Sequence, residues 1–137
     1  MSARNPAYRA YFRRMMTAAV LYMVAIFAAA SLLKDHAPVS PLSIAIALLP
    51  GLAVLLMIAA IARLMLELND EFVRLLVVRQ ALAATAITLS VTSVWGMLEM
   101  FTDLPKLDVF WVFPLWCRGL AVGSIINKIT LGAGGCA

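Results

Sequence analysis

Apolar residues in this chain do not alternate with polar ones; they run on. Four long stretches carry most of them: about Met15 to Leu33, Leu42 to Leu66, Leu75 to Phe101 and Val109 to Ile126, with Arg79 interrupting the start of the third. Each is close to the ~20 residues that an α-helix needs to cross a ~30 Å hydrocarbon layer. A transmembrane β-barrel would instead show ~10-residue segments of alternating polarity. Short polar connections separate the runs: Lys34 to Pro41, Glu67 to Glu71, and Thr102 to Asp108. Connections of this length make successive helices antiparallel neighbours. The pattern predicts an all-α integral membrane protein, a single transmembrane domain of four helices in an up-down-up-down bundle. Pro41 and Pro105 stand where helices two and four are expected to begin, positions at which a missing amide proton costs least. Pro50-Gly51 and Pro114 are expected to kink the second and fourth helices.

Composition agrees with the pattern. Of 137 residues, 64% are hydrophobic and 13% charged, against ~45–50% and ~25% in soluble domains. A small soluble domain exposes too much of its surface to hold that apolar fraction. Lipid is the natural solvent for the excess. The net charge of +4 reads as a topology signal, and no nucleic acid partner is expected. Arg4, Arg9, Arg13, Arg14, Arg63, Arg74, Arg79 and Lys128 fall on one side, Lys34 and Lys106 on the other. Excess Lys and Arg marks the cytoplasmic side, so both termini are expected there. Ala28-Ala29-Ala30-Ser31 resembles a signal-peptide cleavage site, but the segment before it reads as the first transmembrane helix.

Little in the sequence suggests catalysis. Cys117 and Cys136 are far apart and His36 is the one histidine, so no cofactor or metal site is expected. No G-x-S-x-G or H-E-x-x-H occurs, and Gly132-Ala133-Gly134-Gly135 lacks the G-K-[ST] ending of a phosphate loop.

The charged residues inside the apolar runs are the informative ones. Arg118 lies nine positions into the fourth run, about 13 Å deep, where a charge costs at least ~2.5–3.5 kcal/mol and needs a partner. Glu99, near the outer end of the third run, is the expected partner. Helical side chains lean toward their own N-termini, so on antiparallel helices these two point toward one another. The pair reads as a structural pin or as an ion or proton relay. Thr85, Thr88 and Thr92 form a polar seam that continues to Glu99. Gly119 and Gly123, with Asn127 one turn on, form a G-x-x-x-G packing face. That face serves packing inside the bundle or a contact with another chain. Arg63–Glu67, Asp70–Arg74 and Glu71–Arg74 stand at helical pairing distances, and with Phe72 and Leu76 they read as a cytoplasmic docking surface or as a charged cap. The basic, tyrosine-bearing N-terminal segment suits an interfacial helix against anionic lipid.

A weaker pattern is an internal repeat at an offset of 64, which matches Pro41 and Pro50 with Pro105 and Pro114, and Asp35 with Glu99. It would make the chain two tandem hairpins.

Three stretches resemble a known group: Leu66-Glu67-Leu68-Asn69-Asp70-Glu71-Phe72-Val73-Arg74, Val94-Trp95-Gly96-Met97-Leu98-Glu99, and Val112-Phe113-Pro114-Leu115-Trp116-Cys117. Together with the Arg-rich N-terminus and the glycine-rich end at Cys136, they are similar to an uncharacterised family of small four-helix bacterial inner-membrane proteins. The resemblance covers most of the chain and implies the compartment and the helix number, but no activity. Arg118 departs from that group's pattern. The expectation is a non-enzymatic membrane protein acting through protein contacts, as an accessory subunit or regulator. Its partners would be membrane lipids and another membrane protein or a second copy of itself. The alternative is a small transporter or channel subunit using Glu99 and Arg118. Length and helix number resemble the small multidrug resistance transporters, but those carry a glutamate in the first helix. Met15 to Leu33 has no acidic residue.

Overall fold

The computed structural model describes residues 6–33 and 38–134. Among them the chain is helical: α1 (Pro6–Leu32), α2 (Pro41–Glu67), α3 (Glu71–Phe101) and α4 (Val112–Leu131), the last preceded by a single 3₁₀ turn at Val109–Trp111. All four are long and apolar enough to cross a membrane.

Each helix outruns its apolar stretch at one end or both, because hydropathy marks the part that suits lipid and not where the backbone bonds stop. α1 begins at Pro6, nine residues before Met15, with proline in a first turn that has amides to spare. Ser40 caps α2 by accepting from the Ser43 amide at 3.2 Å, while Ser43 Oγ accepts from the Ser40 amide at 2.8 Å, and Pro41 follows at N1. This is a capping box with serine in the place usually taken by Glu or Gln. Asp70 caps α3, its carboxylate accepting from the Phe72 amide at 2.9 Å and the Val73 amide at 3.4 Å. Glu71 then adds a negative charge beside the positive end of the helix dipole. α4 ends on Gly132, whose φ of 69° is left-handed and closes the helix without a Cβ clash. Asp70→Ala should cost about 1 kcal/mol and speed amide exchange at Phe72 and Val73 roughly fivefold. Exchange deeper in α3 should be unchanged, which hydrogen-exchange measurement checks.

The prolines divide. Pro41 starts α2 as expected, but Pro105 does not start a helix: it lies in the loop before Val109, where the next turn opens on Asp108 accepting from the Trp111 amide at 3.0 Å. Pro50 sits inside α2 and leaves the Ile46 carbonyl without its usual donor. Pro114 falls in the first turn of α4, where no such bond is lost and no kink is called for. The prolines matched at an offset of 64 therefore occupy different places in their helices. Asp35 lies outside the described residues.

By compactness the chain divides into two units, residues 1–68 and 69–137. In the first, α1 packs on α2 along Ala7, Ala18 and Ala25 facing Ala53, Ala60 and Leu64. Ala18 to Ala25 and Ala53 to Ala60 are seven-residue steps, which keep small side chains on one face at every second turn. In the second, α3 packs on α4 with Leu76, Gln80, Ala84 and Thr88 opposite Gly119, Gly123 and Asn127. Here the step is four residues, and the contact is built on glycine instead of alanine. Both units are helical hairpins, but their seams are not built alike.

Only narrow seams are buried. Of the most apolar window in each helix, 11%, 17%, 28% and 11% is buried in chain order, so most large apolar side chains face outward. Phe27, Leu48, Leu89, Phe101 and Ile129 are examples. This inverts the arrangement of a soluble protein, in which such residues would form the core.

Candidate functional site

The seam of the second hairpin is the most constrained polar locus among the described residues. Gly119 lies directly on Ala84: a Cβ at Gly119 would meet Ala84 Cα at 2.7 Å and its carbonyl oxygen at 3.0 Å. One turn on, a Cβ at Gly123 would meet the Gln80 carbonyl oxygen at 2.8 Å. Another turn on, Asn127 is fully buried and its Nδ2 donates to the Leu76 carbonyl at 2.8 Å. Gln80, equally buried, donates from Nε2 to the Leu120 carbonyl at 2.9 Å. Removing both side chains from the glycines brings the backbones close enough for these side chain to main chain bonds, each worth ~0.6–2 kcal/mol away from water. Gly119, Gly123 and Asn127 pack against α3 and close this chain's own hairpin.

Gln80 and Trp116 were not among the expected site residues. Gln80 carried a signal, a polar residue inside an apolar run at four-residue steps from Leu76 and Ala84. Trp116 carried only its depth, seven positions past Val109 in the fourth run, which suits a packed core more than the boundary. Its Nε1 donates to Thr85 Oγ1 at 3.1 Å.

The threonine seam is spent mainly on its own helix. Thr85 donates to the Ala81 carbonyl at 2.9 Å, Thr88 to Ala84 at 2.8 Å and Thr92 to Thr88 at 2.8 Å. Such i−4 bonds satisfy a hydroxyl without a partner helix. Thr85 alone also reaches α4, through Trp116.

Glu99 and Arg118 do not pair. The Glu99 carboxylate accepts from the Leu107 amide and holds the loop that leads to α4. Arg118 makes no ion pair among the described residues; it is exposed and lines a cleft of about 230 Å³ with Val91, Trp95, Leu107, Trp111 and Pro114. Axial register is the reason. With Gly119 on Ala84, Arg118 lies level with the neighbourhood of Thr85, fourteen positions before Glu99, about 21 Å along the helix. Both side chains lean the expected way, but a long arginine spans only a fraction of that gap. Trp95 Nε1 is buried without an acceptor, so that part of the cleft holds donors and no carboxylate.

The charged residues around the middle connection also take different partners from those expected. Arg14 Nη1 lies 2.8 Å from Glu67 Oε1 and 2.9 Å from Oε2, joining α1 to α2. Arg63 is not the partner of Glu67. Both members of the Arg14–Glu67 pair are about a third exposed (36% and 35%), so it is worth under ~1 kcal/mol. Asp70 does not pair with Arg74, because it is the N-cap, with φ −86° and ψ 113° outside the helix, and its carboxylate is used on amides. Glu71 and Arg74 are exposed and not paired with one another among the described residues. The five residues fall in two units: Arg63 and Glu67 in the first, Asp70, Glu71 and Arg74 in the second.

Comparison with protein-family models, curated proteins and solved structures gives no match. The functional reading therefore rests on this chain's own geometry. Cys117 is a free, exposed thiol on α4, while His36 and Cys136 lie outside the described residues. The seam's threonine hydroxyls, Asn127 Nδ2 and Gln80 Nε2 donate to backbone carbonyls, while the Gln80 amide oxygen is buried without a donor.

Proposed function

We propose that this chain is a non-enzymatic, multi-pass protein of the bacterial inner membrane, with both termini cytoplasmic, that acts through protein contacts as an accessory subunit or membrane regulator. The observation that carries this reading is the closure of each hairpin on its own small-residue seam. Closed in this way, the second hairpin turns Gln80, Thr88 and Asn127 inward, and both hairpins leave large apolar faces outward. Those faces suit lipid and the apolar surface of another membrane protein or of a second copy. At the start of α3, exposed Glu71 and Arg74 stand beside exposed Phe72 and Leu75, a mixed surface that suits a cytoplasmic partner segment. The contact surface is thus moved from the glycine face to the outer faces and this short segment. The transporter alternative drew on a Glu99–Arg118 pair, which is not formed among the described residues.

Photocrosslinking residues placed singly at exposed Leu48, Leu89, Val94 and Ile125 in native membranes test the reading. A discrete protein adduct should form from one helix face and not from the others. Lipid adducts alone at every position, together with a monomer on gentle extraction, would sink it.

A further inference from the structure

The first hairpin carries a groove of about 580 Å³ between α1 and α2. We infer that it binds one anionic phospholipid, with the phosphate at Arg13 and Arg63 and an acyl chain lying over Ala59, Ala60 and Leu56. The inference rests on the membrane reading above and adds a specific ligand to it.

The lining changes character along its length. On α2 it runs from Arg63 through Ala60 and Ala59 to Leu56; on α1 it runs from Arg13 and Arg14 to Thr17 and Ala18. Leu56 is seven positions before Arg63, so the groove descends about 10 Å from its charged end. Its floor stays open because alanines form it, where larger side chains would fill the space.

Charge at the head of the groove is unbalanced. Three arginines line it, and the one carboxylate on α1 and α2, Glu67, is held by Arg14. Arg13 and Arg63 have no ion-pair partner among the described residues. Thr17 does not compete for a ligand, since its hydroxyl donates to the Arg13 carbonyl at 2.8 Å. The guanidiniums also stand at the right level. Arg13 comes just before the first apolar run at Met15, and Arg63 just before the second ends at Leu66. Two cations at headgroup depth above an apolar trough match a phosphodiester with its hydrocarbon attached. Guanidinium suits phosphate oxygens in geometry as well as charge, and basic pockets between helices on the cytoplasmic side suit anionic headgroups. A zwitterionic lipid would bring its own cation into a groove that already has an excess of them. A soluble phosphate would leave the trough unused.

Full-length protein is reconstituted in nanodiscs of phosphatidylcholine containing a minor fraction of phosphatidylglycerol. Lipid retained on release is then counted by native mass spectrometry. The wild type should keep one phosphatidylglycerol. Arg13→Gln with Arg63→Gln should lower its retention roughly tenfold or more. Arg74→Gln with Lys128→Gln removes the same charge elsewhere and should leave retention unchanged. Ala59→Trp keeps every charge but fills the trough, and should also release the lipid. Equal retention of phosphatidylcholine, or equal loss in the Arg74/Lys128 control, would overturn the proposal in favour of diffuse attraction. Displacement of the lipid by inorganic phosphate alone would overturn it in favour of a soluble anion. Failure of the membrane reading itself would look different: the protein would wash off liposomes in alkaline carbonate before any lipid could be counted.

Discussion

Gly119→Leu and Gly123→Leu should each part α3 from α4. The Cβ of any residue at 119 would stand 2.7 Å from Ala84 Cα, and at 123 it would stand 2.8 Å from the Gln80 carbonyl oxygen. Both obstacles are backbone atoms, so no rotamer change relieves them and the helices themselves must move. Even alanine overpacks the seam, at ~1–3 kcal/mol. Leucine adds three more carbons and takes the neighbouring bonds with it, because Asn127 to Leu76 and Gln80 to Leu120 reach across only while the backbones are close. Losing both adds roughly 1–4 kcal/mol, a large share of the ~5–15 kcal/mol that holds an ordinary domain together.

The measurement is the midpoint of SDS-induced unfolding in detergent micelles, read by circular dichroism and by a distance probe between α3 and α4. Both leucine variants should unfold at much lower SDS, and both alanine variants at intermediate values. Gly51→Leu and Gly96→Leu serve as controls, since a Cβ at either position meets nothing within 4 Å. These should be as stable as the parent or slightly more so, from better helix propensity. An intact hairpin with a changed oligomeric state in Gly123→Leu would mean that the glycine face meets another chain after all.

Arg118→Leu carries the second large effect, and its sign is opposite. Arg118 is exposed and has no ion pair among the described residues. In a bilayer its guanidinium must therefore snorkel or distort the lipid, at ~2.5–3.5 kcal/mol on insertion scales, while leucine is favourable by ~0.3–0.6 kcal/mol. The segment Val109–Leu131 should insert more completely after the substitution, by roughly a hundredfold in the apparent equilibrium. Arg118→Lys should insert no better than the parent. A glycosylation-mapped insertion assay reads this directly. Glu99→Gln should leave α4 insertion unaltered, since Glu99 serves the Leu107 amide. If Arg118→Leu instead lowered the SDS midpoint of the hairpin, the guanidinium would have to be paired within the fold.

The four helices and the start of α2 at Pro41 could be read from neighbouring residues alone, whereas Asp70 was read as a partner of Arg74 and proved to be a cap. Ser40-Pro41 with Ser43, and Asp70 with its two amides, are complete within three or four positions. The extensions were harder to see. Residues 6–14, expected as an interfacial helix, are continuous with the first apolar run in α1, and α4 continues past Ile126 to Leu131 until Gly132 closes it. Among the site residues, the helix-packing role of Gly119, Gly123 and Asn127 was legible because glycine at four-residue steps is a surface feature of one helix. Its recipient was not legible. Nothing on α4 says whether Ala84 and Gln80 or a second chain will lie against it.

The threonines show the same division. Their shared face is a matter of spacing, yet their hydroxyls turned back to Ala81, Ala84 and Thr88 on their own helix. The alternative to a cross-helix bond was always one turn away. Glu99 likewise found a donor in the loop only eight positions on, nearer than any charge on α4.

Four helices long and apolar enough to cross a membrane and their short connections follow from the sequence by itself, because hydropathy is a local property. Which side chains meet across a seam was decided only by tertiary structure. Arg14 reaches Glu67 from 53 positions away, and Arg118 misses Glu99 by about four turns of helix. The physical reason is axial register. It is set by where glycine and alanine let two backbones touch, and every charged or polar side chain must then accept whatever that alignment brings within reach.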